Sequence, residues 1–196
     1  MYLRYKNGEV IVTAPFLTSK KTIDQFVASH KEWIESQKIK DSKSYLKDGD
    51  CIHFVDGDYI LKVNPLIKQI SLKDGLISVR NQKDFEKLLK KASKELLTNM
   101  FLNVQNQLGL KDMHLKIGIY SSQWGSCNKA KRDIHLNAYL LLTDYDFIHS
   151  VIIHEFAHMY VQNHSKDFYN VVYRWMPEYD QVHQRYKNFR FPRLEQ

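Results

Sequence analysis

The chain has 196 residues, 43% apolar and 13% aromatic, which suits one domain with its own core, alone or with a small appendage. Its two cysteines, Cys51 and Cys127, lie far apart, which excludes a disulfide scaffold or a cysteine-rich zinc ribbon and suits a reducing, cytoplasmic setting. The net charge of +7 admits an anionic partner, but the basic residues are scattered in small clusters, so a solvated surface with at most weak nucleic-acid association is expected.

Residues 1–15, MYLRYKNGEVIVTAP, alternate in polarity and lack the apolar core of about 7–15 residues that marks a signal peptide. No apolar run approaches the ~20 residues of a membrane helix, so no membrane partner is expected. Residues 2–6 and 9–13 flank Asn7-Gly8, a hairpin signal because this pair tolerates the positive φ angles of a type I′ turn. Ser19 can cap a helix whose apolar face is Ile23, Phe26, Val27, Trp33 and Ile34. Two more hairpins are expected: residues 51–55 and 58–63 around Asp56-Gly57, and residues 67–72 and 76–80 around Asp74-Gly75.

From residue 84 to 108 one long amphipathic pattern runs through Phe85, Leu88, Leu89, Ala92, Leu96, Met100 and Val104, and Gly109 follows where a left-handed cap wants glycine. Strands are expected at residues 113–120 and 133–138, joined by a loop containing SSQWGSCNKAKR. A helix over residues 144–162 comes next, ended by Asn163 in the left-handed conformation. Ser165 can cap a further helix bearing Phe168, Val171, Val172 and Trp175, stopped by Pro177. The fold class is therefore α+β. A β-rich part with one helix over residues 1–80 precedes a helix, hairpin, helix, helix region over residues 81–196.

The chemistry concentrates in HEFAHMYVQNH, residues 154–164. Positions i and i+4 lie one turn apart on one helix face, so His154 and His158 can point both imidazoles at one metal ion. Glu155 is turned about 100° around the helix, placed to reach a water without ligating the metal, as a general base should. A catalytic zinc takes three protein ligands and keeps one position open, and His164, six residues after His158, is the candidate third. Its spacing equals that of the metzincins, but Val161 replaces their glycine, so the helix is expected to run past Val161. The competing reading is a core helix with satisfied histidines. The remaining histidines (His30, His53, His114, His135, His149 and His183) show no such spacing and are read as surface or packing residues.

In order, the blocks SQWGSC, DIHLNAYLLL, IIHEFAHM, NHSKDFY and WMPEY resemble the YgjP-like metallopeptidase domain family, a zincin group related to SprT-type proteases. The resemblance implies a zincin-like catalytic region and a zinc-dependent hydrolase. It implies His154, His158 and His164 as ligands and Glu155 as the catalytic glutamate.

A metallopeptidase of this kind would lay an extended peptide or protein substrate of unknown identity along a strand above the metal helix, and residues 133–138 are the candidate strand. Trp124 and Asn137 are candidate substrate-binding residues, with packing and loop-orienting roles as their alternatives. Oxyanion donors could come from residues 124–127 or from Tyr160, Tyr169 or Tyr173. Asp144, Asp146 and Asp167 are candidates to orient the ligand histidines. Cys127 is either an inhibitory thiolate or a small buried side chain. Two other functions compete. One is a metal-dependent hydrolase of a non-peptide substrate such as a nucleotide phosphoanhydride, favoured by Lys129, Lys131 and Arg132. The other is a nucleic-acid-associated protein with a structural metal site, which would need a fourth protein ligand.

Overall fold

A computed structural model describes residues 1–6, 9–42 and 45–195. Two compact units emerge, Met1–Leu46 with Pro192–Gln196, and Lys47–Phe191.

In the first unit, β1 (Tyr2–Lys6) and β2 (Glu9–Thr13) pair antiparallel from Tyr2↔Thr13 to Lys6↔Glu9. The Asn7-Gly8 turn expected between them lies outside the described residues. Where one helix was expected there are two, α1 (Lys20–Ser29) and α2 (Lys31–Ser42). Ser19 caps α1 by accepting from Thr22 N at 3.2 Å. The break at His30 has a local cause: the Ser29 hydroxyl and the His30 ring Nδ1 both hydrogen-bond Phe26 O, each at 2.8 Å. Side chains thus take a carbonyl that a continuing helix would use. The short strands β3 (Tyr45–Leu46) and β11 (Arg193–Leu194) pair parallel.

The second unit opens with a four-stranded sheet of order β4-β5-β7-β6, from β4 (Cys51–Phe54), β5 (Gly57–Val63), β6 (Ser71–Lys73) and β7 (Leu76–Val79). Asp74 (φ 53°) and Gly75 (φ 71°) form the expected left-handed turn pair. The first hairpin turns one residue earlier than expected. Phe54 pairs with Gly57, so Val55 and Asp56 form the turn, and this register buries Ile52, Phe54 and Leu61. Val55 N donates to Leu141 O at 2.8 Å, tying this sheet to the region after it. Residue 80, the expected boundary, therefore lies inside the second unit.

Helix α3 (Gln82–Gln107) is capped by Asn81, whose side chain accepts from Asp84 N, and Gly109 follows at φ 63° as expected. It buries Phe85, Leu89, Leu97, Phe101 and Val104. A three-stranded sheet follows with order β8-β10-β9, from β8 (His114–Gly118), β9 (Gly125–Asn128) and β10 (Asp133–Asn137). Strand β9 lies within the expected loop. Strand β10 is central, parallel to β8 and antiparallel to β9. After a 3-10 turn over Ala138–Leu142 come α4 (Tyr145–Ala157), α5 (Lys166–Trp175) and α6 (Tyr179–Tyr186). The core joins α3, the sheet and α4, with Phe101 and Phe156 stacked at 5.1 Å. The α+β class is the one observed, and no described helix is long and apolar enough to cross a membrane.

Candidate metal centre

Helix α4 starts at Asp144, whose carboxylate accepts from Phe147 N at 2.8 Å, and its buried Val151, Ile152 and Phe156 fix its rotation. That rotation leaves His154 half-buried and Glu155 only 5% exposed. The helix ends at Ala157, five residues before the expected Gln162. Met159 N and Tyr160 N bond back three residues to Phe156 O and Ala157 O, tightening the last turn, and Gln162 Nε2 donates to His158 O. No described residue from 158 to 164 has positive φ, so Asn163 is not left-handed. The chain reverses through this tight turn, and His164 arrives just before α5.

The three imidazoles meet. One nitrogen from each of His154, His158 and His164 lies within 4.8 Å of the others, and His164 Nε2 sits 3.0 Å from His154 Nε2. Nitrogens bound to one tetrahedral zinc at ~2.05 Å stand roughly 3.3 Å apart, so this donor set fits such an ion. Among the described residues no fourth His, Cys, Asp or Glu joins the group, which matches an open rather than a closed site.

Tautomers are set from behind. His154 Nδ1 is 2.7 Å from Tyr179 OH, and His158 Nδ1 is 3.2 Å from Val161 O. A carbonyl only accepts, so His158 carries its proton on Nδ1 and keeps the Nε2 lone pair free; Tyr179 permits the same for His154. Burial pushes His154 down to about 3 and also lowers His158, so both rings stay neutral, the form that ligates metal. The Phe168 ring, fully buried on α5, lies 4.6–4.9 Å from all three imidazoles and forms their apolar wall.

Glu155 has a different neighbour. A Cβ on Gly125 of β9 would fall 2.8 Å from Glu155 Cγ and Oε1, so the side chain lies directly on that glycine's backbone. Burial raises its carboxyl to about 8. Two residues along the same strand face, Cys127 packs its thiol 3.6 Å from Met159 Sδ. Burial first, and then the Glu155 charge, push that thiol to about 11, so it is not a thiolate at neutral pH.

The other expected residues have identifiable places. Trp124 packs its ring on Phe147, Phe189 and Phe191 at 4.8–5.0 Å. Asn137 is fully buried; its Nδ2 donates to Tyr120 O and Gln123 O at 2.8 Å, and its Oδ1 accepts from Tyr139 N at 3.2 Å. Strand residues 133–137 are central, so the edge on the Glu155 side, which has no further strand among the described residues, belongs to β9 instead. Asp144 and Asp146 pair with Arg185 rather than with the histidines. The orienting groups are Tyr179 and the Val161 carbonyl, neither proposed from spacing. Tyr160 is 52% exposed beside Trp175, Tyr173 donates to Asp180, and Tyr169 is the one of these three with a ring contact to His164, at 6.5 Å. Of the basic cluster near the loop, Arg132 is engaged with the carbonyls of Lys111 and Asp112. His183 stacks on Tyr179 at 4.0 Å, and its buried Nε2 has no partner among the described residues.

The chain matches the family model for the YgjP-like, metallopeptidase domain over residues 1–189. Among solved structures it is similar to the metallopeptidase zymogen jannalysin of Methanocaldococcus jannaschii, at 19% identity and TM-score 0.41, covering 45% of this chain and 91% of that one. It is similar also to the metallopeptidase zymogen abylysin of Pyrococcus abyssi, at 19% identity and TM-score 0.41, covering 45% of this chain and 90% of that one. No curated protein matches.

Proposed function

This chain belongs to the YgjP-like metallopeptidase family, a family of metal-dependent peptidases, and we propose that its metal is zinc, held by His154, His158 and His164, with Glu155 as general base. The observation that carries this reading is the convergence of three imidazoles, with His154 Nε2 and His164 Nε2 3.0 Å apart, beside a buried carboxyl on the next residue of the same helix. Zinc in such a site acidifies water and polarises a carbonyl.

The chain's own residues supply the remainder. Glu155 moves the proton: its carboxylate takes it from the attacking water and returns it to the amine nitrogen that leaves. Its raised pKa is that of a buried carboxyl with no cation nearby, and a cation close by draws it down toward the ionised form a base needs. The Val161 carbonyl holds His158 in the ligating tautomer, and Tyr179 accommodates it in His154. Phe168 excludes water from one side. A substrate polypeptide runs extended along the open edge of β9, whose Gly125 touches Glu155. Main-chain pairing there gives weak sequence preference.

The test is zinc content by mass spectrometry together with hydrolysis of an unstructured protein substrate. Wild type should hold about one zinc per chain; His158→Ala should lose it; Glu155→Gln should keep it and be inactive. Full hydrolysis by Glu155→Gln would sink the general-base assignment, and a wild type unable to take up zinc would sink the metal assignment.

A further inference from the structure

The three-stranded sheet has two edges. One is β9, beside Glu155. The other is β8, and a groove of about 520 Å³ runs between it and α3. Its walls are Lys87, Lys90, Lys91 and Lys94 from α3, and Leu115 and Ile117 from β8 contribute apolar side chains.

The lysines stand close together on the helix. Lys87 with Lys91, and Lys90 with Lys94, are like-charged pairs at i,i+4, whose cost to the helix is offset by Glu86 and Glu95 at the same spacing from Lys90 and Lys91. All four are exposed, and among the described residues none lies within ion-pair distance of a carboxylate. Charge of one sign gathered along a groove selects an anionic occupant.

The strand says which kind. His114 N donates to Arg132 O, so the backbone groups of His114 face β10. A strand alternates, so those of Leu115 and Ile117 face outward, where β8 has no further strand among the described residues. The side chains of the same two residues line the groove. An added extended strand would find main-chain partners and an apolar floor together. On one face of such a strand, side chains recur every ~6.8 Å, and the lysines extend over about 10 Å of helix, so two or three alternate acidic residues fall within reach. Nucleic acid fits less well, since none of the residues lining the groove is aromatic and so none can stack a base. Lysines beside a strand edge also repel basic strands and would lose hydration under neutral ones, which turns protection of that edge into selection for an acidic one.

We propose that the groove between α3 and β8 binds an extended acidic polypeptide segment by strand addition, with alternate carboxylates facing Lys87, Lys90, Lys91 and Lys94. The proposal does not depend on what the histidine cluster does.

The test is fluorescence anisotropy on the full chain with a labelled peptide of alternating Glu and Val, about ten residues long. A Lys-Val peptide and an oligothymidylate of similar length serve as comparisons, and mass spectrometry checks that each probe stays intact. The Glu-Val peptide should bind saturably, weaken with salt, and lose at least about tenfold in affinity in Lys90→Glu/Lys91→Glu. The neutral variant Lys87→Gln/Lys94→Gln should lose less, and thermal melts should show both folded. Hydrogen exchange at the Leu115 and Ile117 amides should slow when the peptide is bound. Absent saturable binding, binding indifferent to charge reversal, or an oligothymidylate that binds more tightly through the same lysines would each overturn it. The titration reads binding rather than cleavage, so its failure and the failure of the peptidase reading are distinct.

Discussion

Replacing Gly125 by alanine tests the placement of Glu155 without touching the three histidines. Gly125 does not occupy the left-handed region, so alanine meets no backbone penalty there and the cost is steric. The new Cβ would lie 2.8 Å from Glu155 Cγ and Oε1, against 3.4 Å or more for ordinary contact, so the carboxyl must shift by about 0.6 Å. Misplacement near 1 Å costs roughly 10²-fold in rate, so a loss of about 10- to 10²-fold in kcat/KM is expected. Overpacking at such a site costs about 1–3 kcal/mol in stability, small enough to leave the chain folded. The assay is hydrolysis of an unstructured protein, with zinc content and a thermal melt on the same preparation. Wild-type activity in the alanine variant would refute the idea that Gly125 fixes Glu155. Loss of zinc together with activity would refute it too, because the damage would then lie at the histidines.

Tyr179→Phe keeps the ring stacked on His183 but removes the oxygen 2.7 Å from His154 Nδ1. Zinc affinity should fall about 10- to 100-fold, read by competition with a chromophoric chelator, whereas an unchanged affinity would make the contact incidental. Glu155→Gln should lose about 10²–10⁴-fold in rate at unchanged zinc content, measured as kcat against metal stoichiometry. The Arg80 guanidinium beside Asp84, at 2.5 Å, holds that carboxyl below its ordinary value. A depressed carboxyl stabilises the fold above its unfolded value near ~3.9, and that contribution is lost as pH falls through the lower folded value. The urea midpoints of wild type and Asp84→Asn should therefore differ at neutral pH and converge in strong acid, and a gap that persists there would contradict the sign.

His154 and His158 were readable from sequence because a helix converts a spacing of four into a shared face. That His164 would join the other two imidazoles was readable, but not its route, since the early end of α4 rests on i→i+3 bonds and the Gln162 side chain rather than on Asn163. Tyr179 lies 25 residues from His154, on a short helix that buries Tyr179 and Val182 alone and so has almost no apolar period. The carboxylates nearest in sequence were candidates for the same task, but Asp144 and Asp146 face Arg185. Strand β9 reads Gly-Ser-Cys-Asn, a composition without β propensity. Pairing with β10 and contact with α4 make it a strand, and only tertiary structure supplies those. The β4–β5 hairpin kept its strands but moved its turn, because burial of Phe54 and Leu61 outweighs the preference of Asp-Gly for the turn positions.

That dependence of β9 on its surroundings gives Asn137 its meaning. The amide sits at the end of β10, fully buried, and ties three main-chain groups: the carbonyls of Tyr120 and Gln123 and the N–H of Tyr139. Its own N–H donates to Trp124 O at 2.8 Å. The segment so held leads directly into Gly125, against which Glu155 rests. Both side-chain donors are used, and the oxygen, already accepting from Tyr139 N, is fully buried, so the effect of Asn137 on the reaction is expected to pass through the position of β9. Asn137→Ala leaves buried groups unpaired at about 1–3 kcal/mol each and should lower the melting temperature and kcat together, with KM nearly unchanged. Asn137→Asp keeps the acceptor for Tyr139 N and loses both donors, so it should rescue neither. A substrate-binding asparagine would behave differently: KM would rise while stability held, and that pattern would return Asn137 to the substrate.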